Sequence, residues 1–256
     1  MIGPPAGSEA GPQRRTSPAV RWSAWLVLGL ALLASSWALA RASAFFEYTV
    51  PYADKPALAL AAGLSAAGLL FALLKPLLNR TALEGLAGDR RLLALIVGIG
   101  VAARLVQFPA IPAMEDDWVR YLWDGAVTAH GYNPYAVSPD DAQGDAYATT
   151  LQPLAHESGA VIERINHPEL RTIYPPLAQA AFALAHVMKP WGLDAWRAVC
   201  LTAEVLTLVL ILALLKVHAR PAAWVAVYWW NPVVVKELMN SAHMEAVLMP
   251  FVAAAL

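Results

Sequence analysis

The chain has 256 residues, of which 59% are hydrophobic and 14% charged, with a formal net charge of −1. Soluble domains carry about 25% charged residues, so this balance excludes a disordered chain, a coiled coil and an ordinary cytosolic enzyme. It also excludes a nucleic-acid binder working by bulk charge, because no basic block stands out. Lipid is the expected solvent for most of the chain. The single cysteine, Cys200, lies in an apolar run and predicts a small buried residue. One cysteine permits neither a disulfide within the chain nor a cysteine-based zinc site.

Residues 1–21 are rich in Pro and Gly, carry Arg14, Arg15 and Arg21, and predict a disordered basic arm. The apolar run behind them is too long for a signal-peptide core and lacks a cleavage context, so it is expected to be retained. Residues 22–40 are 19 positions without a charge, bounded by Arg21 and Arg41. They predict one transmembrane helix, since about 20 residues cross the hydrocarbon core. Residues 56–74 predict a second, stopped by Lys75-Pro76, and residues 92–108 a third, interrupted only by Arg104. Near the end of that helix Arg104 is expected to snorkel to the interface, with a phosphate contact as the functional alternative.

The character changes over residues 110–173, a polar segment holding 10 of the 19 acids. A loop of this length is usually functional. Within it, residues 116–124 predict a short amphipathic helix with Val119, Leu122 and Trp123 resting on the membrane interface. Gly131-Tyr132-Asn133-Pro134-Tyr135 supplies turn chemistry to end it. Beyond residue 174 the predicted elements are again membrane helices. Residues 177–188 are short for a span and predict a re-entrant or interfacial helix. Residues 199–215 predict a span despite Glu204, which is expected to find an interior partner. Lys216, His218 and Arg220 close it. An apolar, aromatic stretch over 221–235 leads to a polar patch over 236–245, and another apolar run starts at Ala246.

Lys and Arg set the expected orientation. The N-terminal arm and the connection carrying Lys75, Arg80, Arg90 and Arg91 are both basic, which places them in the cytoplasm and the acidic loop outside. The 216–220 cluster joins them only if 177–188 does not fully cross. The 236–245 patch then emerges on the side of the acidic loop. The expected organisation is all-α: three transmembrane helices over 22–109, an outer loop over 110–173 with short interfacial helices, and further membrane helices over 174–256.

Glu115, Asp116 and Asp117 open the loop. Three adjacent acids repel one another, so a purely structural role is poorly motivated, although acids are favoured at a helix N-terminus. The chemical alternative is a general base, a metal-ligating carboxylate, or both. In the second patch Lys236, Asn240 and His243 fall on one face of a regular helix, with Glu245 following. They predict either an interfacial turn or the lining of a polar cavity, in which His243 and Glu245 are donor types that suit a divalent ion. His167 and Arg171, ahead of a helix start at Tyr174-Pro175-Pro176, are candidates for an anion. Trp118, Trp123, Tyr132 and Tyr135 suit sugar stacking or an aromatic belt equally.

These motifs occur in a telling order: Asp116-Asp117, then Trp123-Asp124-Gly125, Asn133-Pro134-Tyr135, His167-Pro168-Glu169-Leu170 and Tyr174-Pro175-Pro176. Over residues 92–256 the chain resembles the GT-C superfamily of integral-membrane glycosyltransferases. The nearest branch is the bacterial polyprenyl-phosphate-mannose-dependent mannosyltransferases and glycosyltransferase family 87. The resemblance implies a GT-C-like bundle in the bacterial inner membrane with its active site on the extracytoplasmic side. It implies an inverting transfer of a sugar, mannose in that branch, from a polyprenyl-phosphate donor to a glycan or glycolipid. The base is carried onto Asp116 or Asp117. The departing phosphate calls for Arg171, His167 or Lys236. Glu115, Trp123, Asp124, Tyr135, Tyr174, Asn240, His243 and Glu245 are the expected sugar and acceptor contacts. A divalent cation, Mg or Mn, is an optional cofactor, and lipid rather than nucleic acid is the surrounding partner.

Two rivals stand beside this expectation. A transporter or lipid-carrier flippase also needs intramembrane polar groups, but places charges at the midplane and shows paired repeats. A non-catalytic assembly subunit would tolerate loss of the acidic motif. Members of the resembled family are longer, so the expectation is an N-terminal portion or a truncated product that keeps the catalytic loop.

Overall fold

The computed structural model describes residues 18–83 and 89–256. Most of the expected basic arm, residues 1–17, lies outside the described residues. Among the described residues all regular structure is helical. Three helices are long and apolar enough to cross a membrane, Trp22–Phe46, Ala57–Thr81 and Leu193–Val217, which makes this a membrane protein by length and composition.

Helix α1 (Pro18–Ala42) begins four residues before the expected start. Helices α2 (Ala57–Ala72) and α3 (Leu74–Leu83) form the second span. The chain does not stop at Lys75-Pro76. It breaks step at Leu73, because Pro76 cannot donate back to the preceding turn, and then continues. Helix α4 (Arg90–Leu105) is the third expected span, at 16 residues shorter than the others. Asp89 caps it by accepting from the Arg91 N–H.

Helix α4 runs parallel to α1. At one end Leu92 shares a core with Trp25, and at the other Ser36 Oγ donates to the Ala103 carbonyl at 2.7 Å and Gln107 Nε2 to the Ser36 carbonyl at 2.8 Å. Helix α9 (Leu193–Val217) runs the opposite way. Its first turns meet the exit of α4, where Arg197 donates to the carbonyls of Phe108 and Ala110, and its last turns reach the Leu92 core. Lys216 and Arg220 therefore lie towards the end that holds Arg90 and Arg91. This is the arrangement that a non-crossing 177–188 segment requires.

Arg104 does not snorkel, and it is not free for phosphate. It is fully buried and grips fully buried Glu204 with two bonds, at 2.8 and 2.9 Å. Its Nη1 donates to the carbonyls of Gly100 and Trp229, and its guanidinium lies 3.6 Å above the Trp229 ring. A bidentate guanidinium–carboxylate pair is the arrangement that lets both charges sit inside a helical bundle. It also supplies the interior partner expected for Glu204.

The aromatic stretch is not one helix. A 3-10 turn (Ala222–Val225), helix α10 (Ala226–Trp229), helix α11 (Pro232–Val235) and a π-helical turn (Lys236–Asn240) climb back from the basic end to the loop end. Asn231-Pro232 makes the break, with the Asn231 side chain capping α11. The two indoles at the break donate to α4 carbonyls, Trp229 to Val97 and Trp230 to Ile96. Gly100 is required there, since any Cβ would collide with the Trp229 ring. Helix α12 (Glu245–Ala254) then turns back along α9.

The loop is a small helical layer. Helix α5 (Asp117–Ala129) is followed by the Gly131 turn at φ +78°, helix α6 (Leu151–Glu157) and helix α7 (Ala160–Glu163). Helix α8 (Pro176–Met188) spans about 20 Å at 1.5 Å per residue, too short to cross. It lies along α5 and against α9. Val119, Leu122 and Trp123 consequently do not face the membrane interface. They are 2%, 5% and 2% exposed, covered by α6, α7 and α8. Gly125 lets α5 and α8 approach, because a Cβ there would stand 2.5 Å from the Phe182 carbonyl oxygen. Backbone cannot yield as a side-chain tip can. Gly125→Ala is therefore expected to destabilise the α5–α8 pair by about 1–3 kcal/mol, read as a lower thermal midpoint in detergent. An unchanged midpoint would mean that the helices part without cost.

Candidate active site

The acidic motif is held by the exit of α4. Fully buried Asn240 accepts from the Ala113 N–H at 3.0 Å and donates to Gln107 Oε1 at 3.1 Å and the Ile111 carbonyl at 3.3 Å. Asn240 is thus a clamp and not an acceptor contact. Arg197 adds a second clamp, linking the carbonyls of Phe108 and Ala110 to those of Met239 and Asn240. Met114 then turns the chain at φ +60°, a left-handed conformation unusual for a non-glycine residue. Glu115 leaves this turn towards the second patch, while Asp116 and Asp117 line a small cleft.

Glu115 points back to the second patch. Lys236 Nζ lies 3.3 Å from Glu115 Oε1 and 3.2 Å from a Glu237 carboxylate oxygen. His243 brings Nε2 to 3.1 Å from Glu115 Oε2 and Nδ1 to 3.3 Å from Glu237 Oε2. The expected regular helical face of Lys236, Asn240 and His243 is not what joins these groups. The π-helical turn and the break at Ala242, φ +58°, send Asn240 to the loop clamp while Lys236 and His243 meet Glu115. Glu115, Glu237 and His243 bring one ligand atom each within 4.8 Å of one another. Two carboxylates and an imidazole suit a divalent ion by donor type. The Lys236 ammonium bridges the two carboxylates, so the donor set is already engaged in an internal ion-pair cluster. Lys236 is equally committed, and does not present a free ammonium to phosphate.

Asp116 occupies the N-cap of α5. Among the described residues, neither the Asp116 nor the Asp117 side chain is engaged in a capping bond or an ion pair. Asp116 and Asp117 are both exposed, yet the surrounding cleft desolvates Asp117 enough to push its carboxyl above its ordinary value. His243 opposes that shift, and Asp116, Glu115 and exposed Glu245 add to it by like charge.

Two clefts meet at Asp116. The larger, about 630 Å³, includes Phe46, Lys55, Glu115, Asp116 and Arg164 in its lining. The smaller, about 170 Å³, is lined by Asp116, Asp117, Arg120, His167, Arg171 and Tyr174 among others. An apolar groove of about 390 Å³ between α1, α2 and α11 borders the larger cleft, with Phe46 in the lining of both.

The remaining expected contacts divide. Tyr174 lines the small cleft, its hydroxyl pushed up to about 12 by burial and by the Asp117 charge. Exposed Tyr135 donates its hydroxyl to the Tyr174 carbonyl at 2.6 Å, and so fixes the rim. Arg171 and His167 face the same cleft, His167 at φ +52° with Nδ1 3.4 Å from Glu169. Trp123 and Asp124 do not reach it. Trp123 is core, and Asp124, 1% exposed, accepts from Arg120 Nε at 2.9 Å and Gln179 Nε2 at 3.1 Å. Glu237 falls in the 236–245 patch without a role of its own, and sequence reasoning passed over Arg120 and Gln179 as site residues. Only the i, i+4 spacing of Arg120 and Asp124 could have flagged either of these two.

Comparison with family models, with curated proteins and with solved structures finds no match for this chain.

Proposed function

We propose that this chain is a membrane glycosyltransferase of GT-C type, inverting, with Asp116 or Asp117 as general base and a polyprenyl-phosphate sugar as donor. The observation that carries the proposal is the pair of unpaired carboxylates in a cleft that also holds Arg171 and His167. Carboxylates without an ion-pair partner are available for chemistry, and the Arg171 guanidinium in the same cleft suits a departing phosphate. The apolar groove that borders the larger cleft at Phe46 offers a lipid-anchored substrate an approach.

In the proposed step an acceptor hydroxyl attacks the anomeric carbon of the donor sugar. The new carbon–oxygen bond forms as the bond to the phosphate oxygen breaks. The carboxylate takes the hydroxyl proton, and the lipid phosphate leaves with the bonding electron pair. Mannose is the sugar proposed first, and a glycan or glycolipid outside the cytoplasm the acceptor, with the protein in a bacterial inner membrane. Against a transporter stands the closed state of the interior charges. Arg104 and Glu204 satisfy each other and leave no open ion site at that depth.

The test is a panel of polyprenyl-phosphate sugars offered to membranes containing the chain, with label followed into the glycan or glycolipid fraction. Transfer from one member supports the proposal, and silence across the panel with folded protein present contradicts it. The active panel member also gives a pH profile. With Asp117 as base, activity falls as pH drops through its raised pKa, because the proton-accepting form is lost. The acid limb is then expected above the ordinary carboxylate range. A limb within that range would remove Asp117 from the role.

A further inference from the structure

Arg120 has a free end. It sits in the first turn of α5, 8% exposed, and the only hydrogen bond it makes among the described residues is from Nε to Asp124. Its Nη2 is buried without a partner. Buried guanidinium nitrogens are rarely left unpaired, because the lost hydration is not repaid. The head is also held from behind. Asp124 accepts from Gln179, and Gln179 Nε2 donates to Thr172 at 2.9 Å. This fixes a planar donor fork beside the small cleft, and Arg120 is one of the residues that line it.

Arg171 and His167 approach the cleft from the segment ahead of α8. At about 170 Å³ it holds roughly six waters at ~30 Å³ each, room for a phosphate group and its ester oxygen. Leu170 and Ile173, 54% and 86% exposed, also line it and leave an apolar edge beside the cations. Two guanidinium groups with an apolar edge match a phosphate that carries a hydrocarbon chain.

We infer that Arg120 and Arg171, with His167, form a phosphate-binding site in the cleft beside Asp116 and Asp117. Arg120 is the preset anchor, and Arg171 the exposed surface partner. Lys236, tied to Glu115 and Glu237, takes no part. That the phosphate belongs to a sugar donor rests on the transferase proposal; that the cleft binds phosphate does not. The larger cleft and its apolar groove are then left for the acceptor, with Asp116 on the border of both.

The test uses the full chain in detergent micelles and titrates farnesyl phosphate, farnesol and inorganic phosphate, read by calorimetry. Farnesyl phosphate is expected to bind and farnesol not. Arg171→Gln is expected to weaken farnesyl phosphate binding about tenfold. Arg120→Lys, which keeps the charge but loses the fork, should have a similar effect. Asp117→Asn is expected to tighten binding, by removing a like charge from the cleft, where a cation site would respond in the opposite sense. Competition by inorganic phosphate would mean that the site reads the phosphate alone. Its failure to compete would assign the site to a lipid headgroup. Should Arg120→Lys not fold, Arg171→Gln on the exposed rim carries the test. Equal binding of farnesol and farnesyl phosphate, or unchanged affinity in Arg171→Gln, overturns the inference. Transfer with unchanged phosphate affinity in the variants would sink this site and leave the transferase proposal standing. Phosphate binding as expected with no transfer from any donor would do the reverse.

Discussion

Replacing Asp116 or Asp117 by Asn is expected to lower sugar transfer by about 10²–10⁴-fold for whichever residue takes the proton. The amount of folded protein should not fall with it. Among the described residues Asp116 makes no capping bond and neither carboxylate has an ion-pair partner, so neither change breaks an ion pair or a cap there. For Asp117 the sign favours stability. Its raised pKa means that the folded chain prefers the protonated form, a contribution present at low pH and lost as pH rises through that pKa. At neutral pH the neutral amide therefore replaces a charge the fold disfavours. Reduced activity with an undiminished thermal midpoint is the behaviour of a functional group held at some cost to the fold. Full transfer in both variants would remove the carboxylate base from the mechanism.

The second large effect lies inside the bundle. Glu204→Leu leaves the Arg104 guanidinium fully buried without its carboxylate, and breaking one half of such a pair costs about 3–5 kcal/mol. The double variant Arg104→Met, Glu204→Leu removes both charges and is expected to recover most of that loss. Unfolding in mixed detergent micelles measures the cycle. The stability should follow the pair rather than either residue, because Arg104 also ties α4 to the break at Trp229. A double variant no more stable than Glu204→Leu would mean that the pair acts through those backbone bonds alone.

Much of the bundle can be read from uncharged runs. Residues 22–40 and 199–215 announce spans because length and absence of charge are local properties. The Arg104–Glu204 pair cannot be read this way, since its members are 100 positions apart. Each alone looks like an exception to be excused, Arg104 by snorkelling and Glu204 by an unnamed partner. Helix α5 shows a further limit. Its amphipathic pattern is plain, but an apolar stripe does not say whether lipid or protein covers it. The clue was Gly125, which marks close approach by another backbone, here α8. Trp123 and Asp124 were drawn into the site by the Trp-Asp-Gly motif, which says nothing of whether their side chains face the cleft or the core.

The site itself divides along similar lines. Three adjacent acids opening a long loop were legible as a candidate, and the chain folds so that two of them stay unpaired. The split of Glu115 from Asp116 and Asp117 was not legible. It depends on the Met114 turn and on a π-helical turn at Lys236–Asn240, which breaks the regular 3.6-residue face assumed for the second patch. Asn240 looked like a ligand because polar residues between apolar runs are costly in lipid. It meets that cost by bonding the loop backbone.

The central claim, inverting transfer from a lipid-phosphate sugar, is tested most directly by the anomeric configuration of the product. The measurement is a proton NMR spectrum of the glycan formed by membranes containing the chain from a donor of single, known configuration. The account predicts a product whose newly formed linkage has the opposite configuration to the donor, and which is absent with the Asp116→Asn, Asp117→Asn double variant. A product that retains the donor configuration, or one that persists in the double variant, would contradict it.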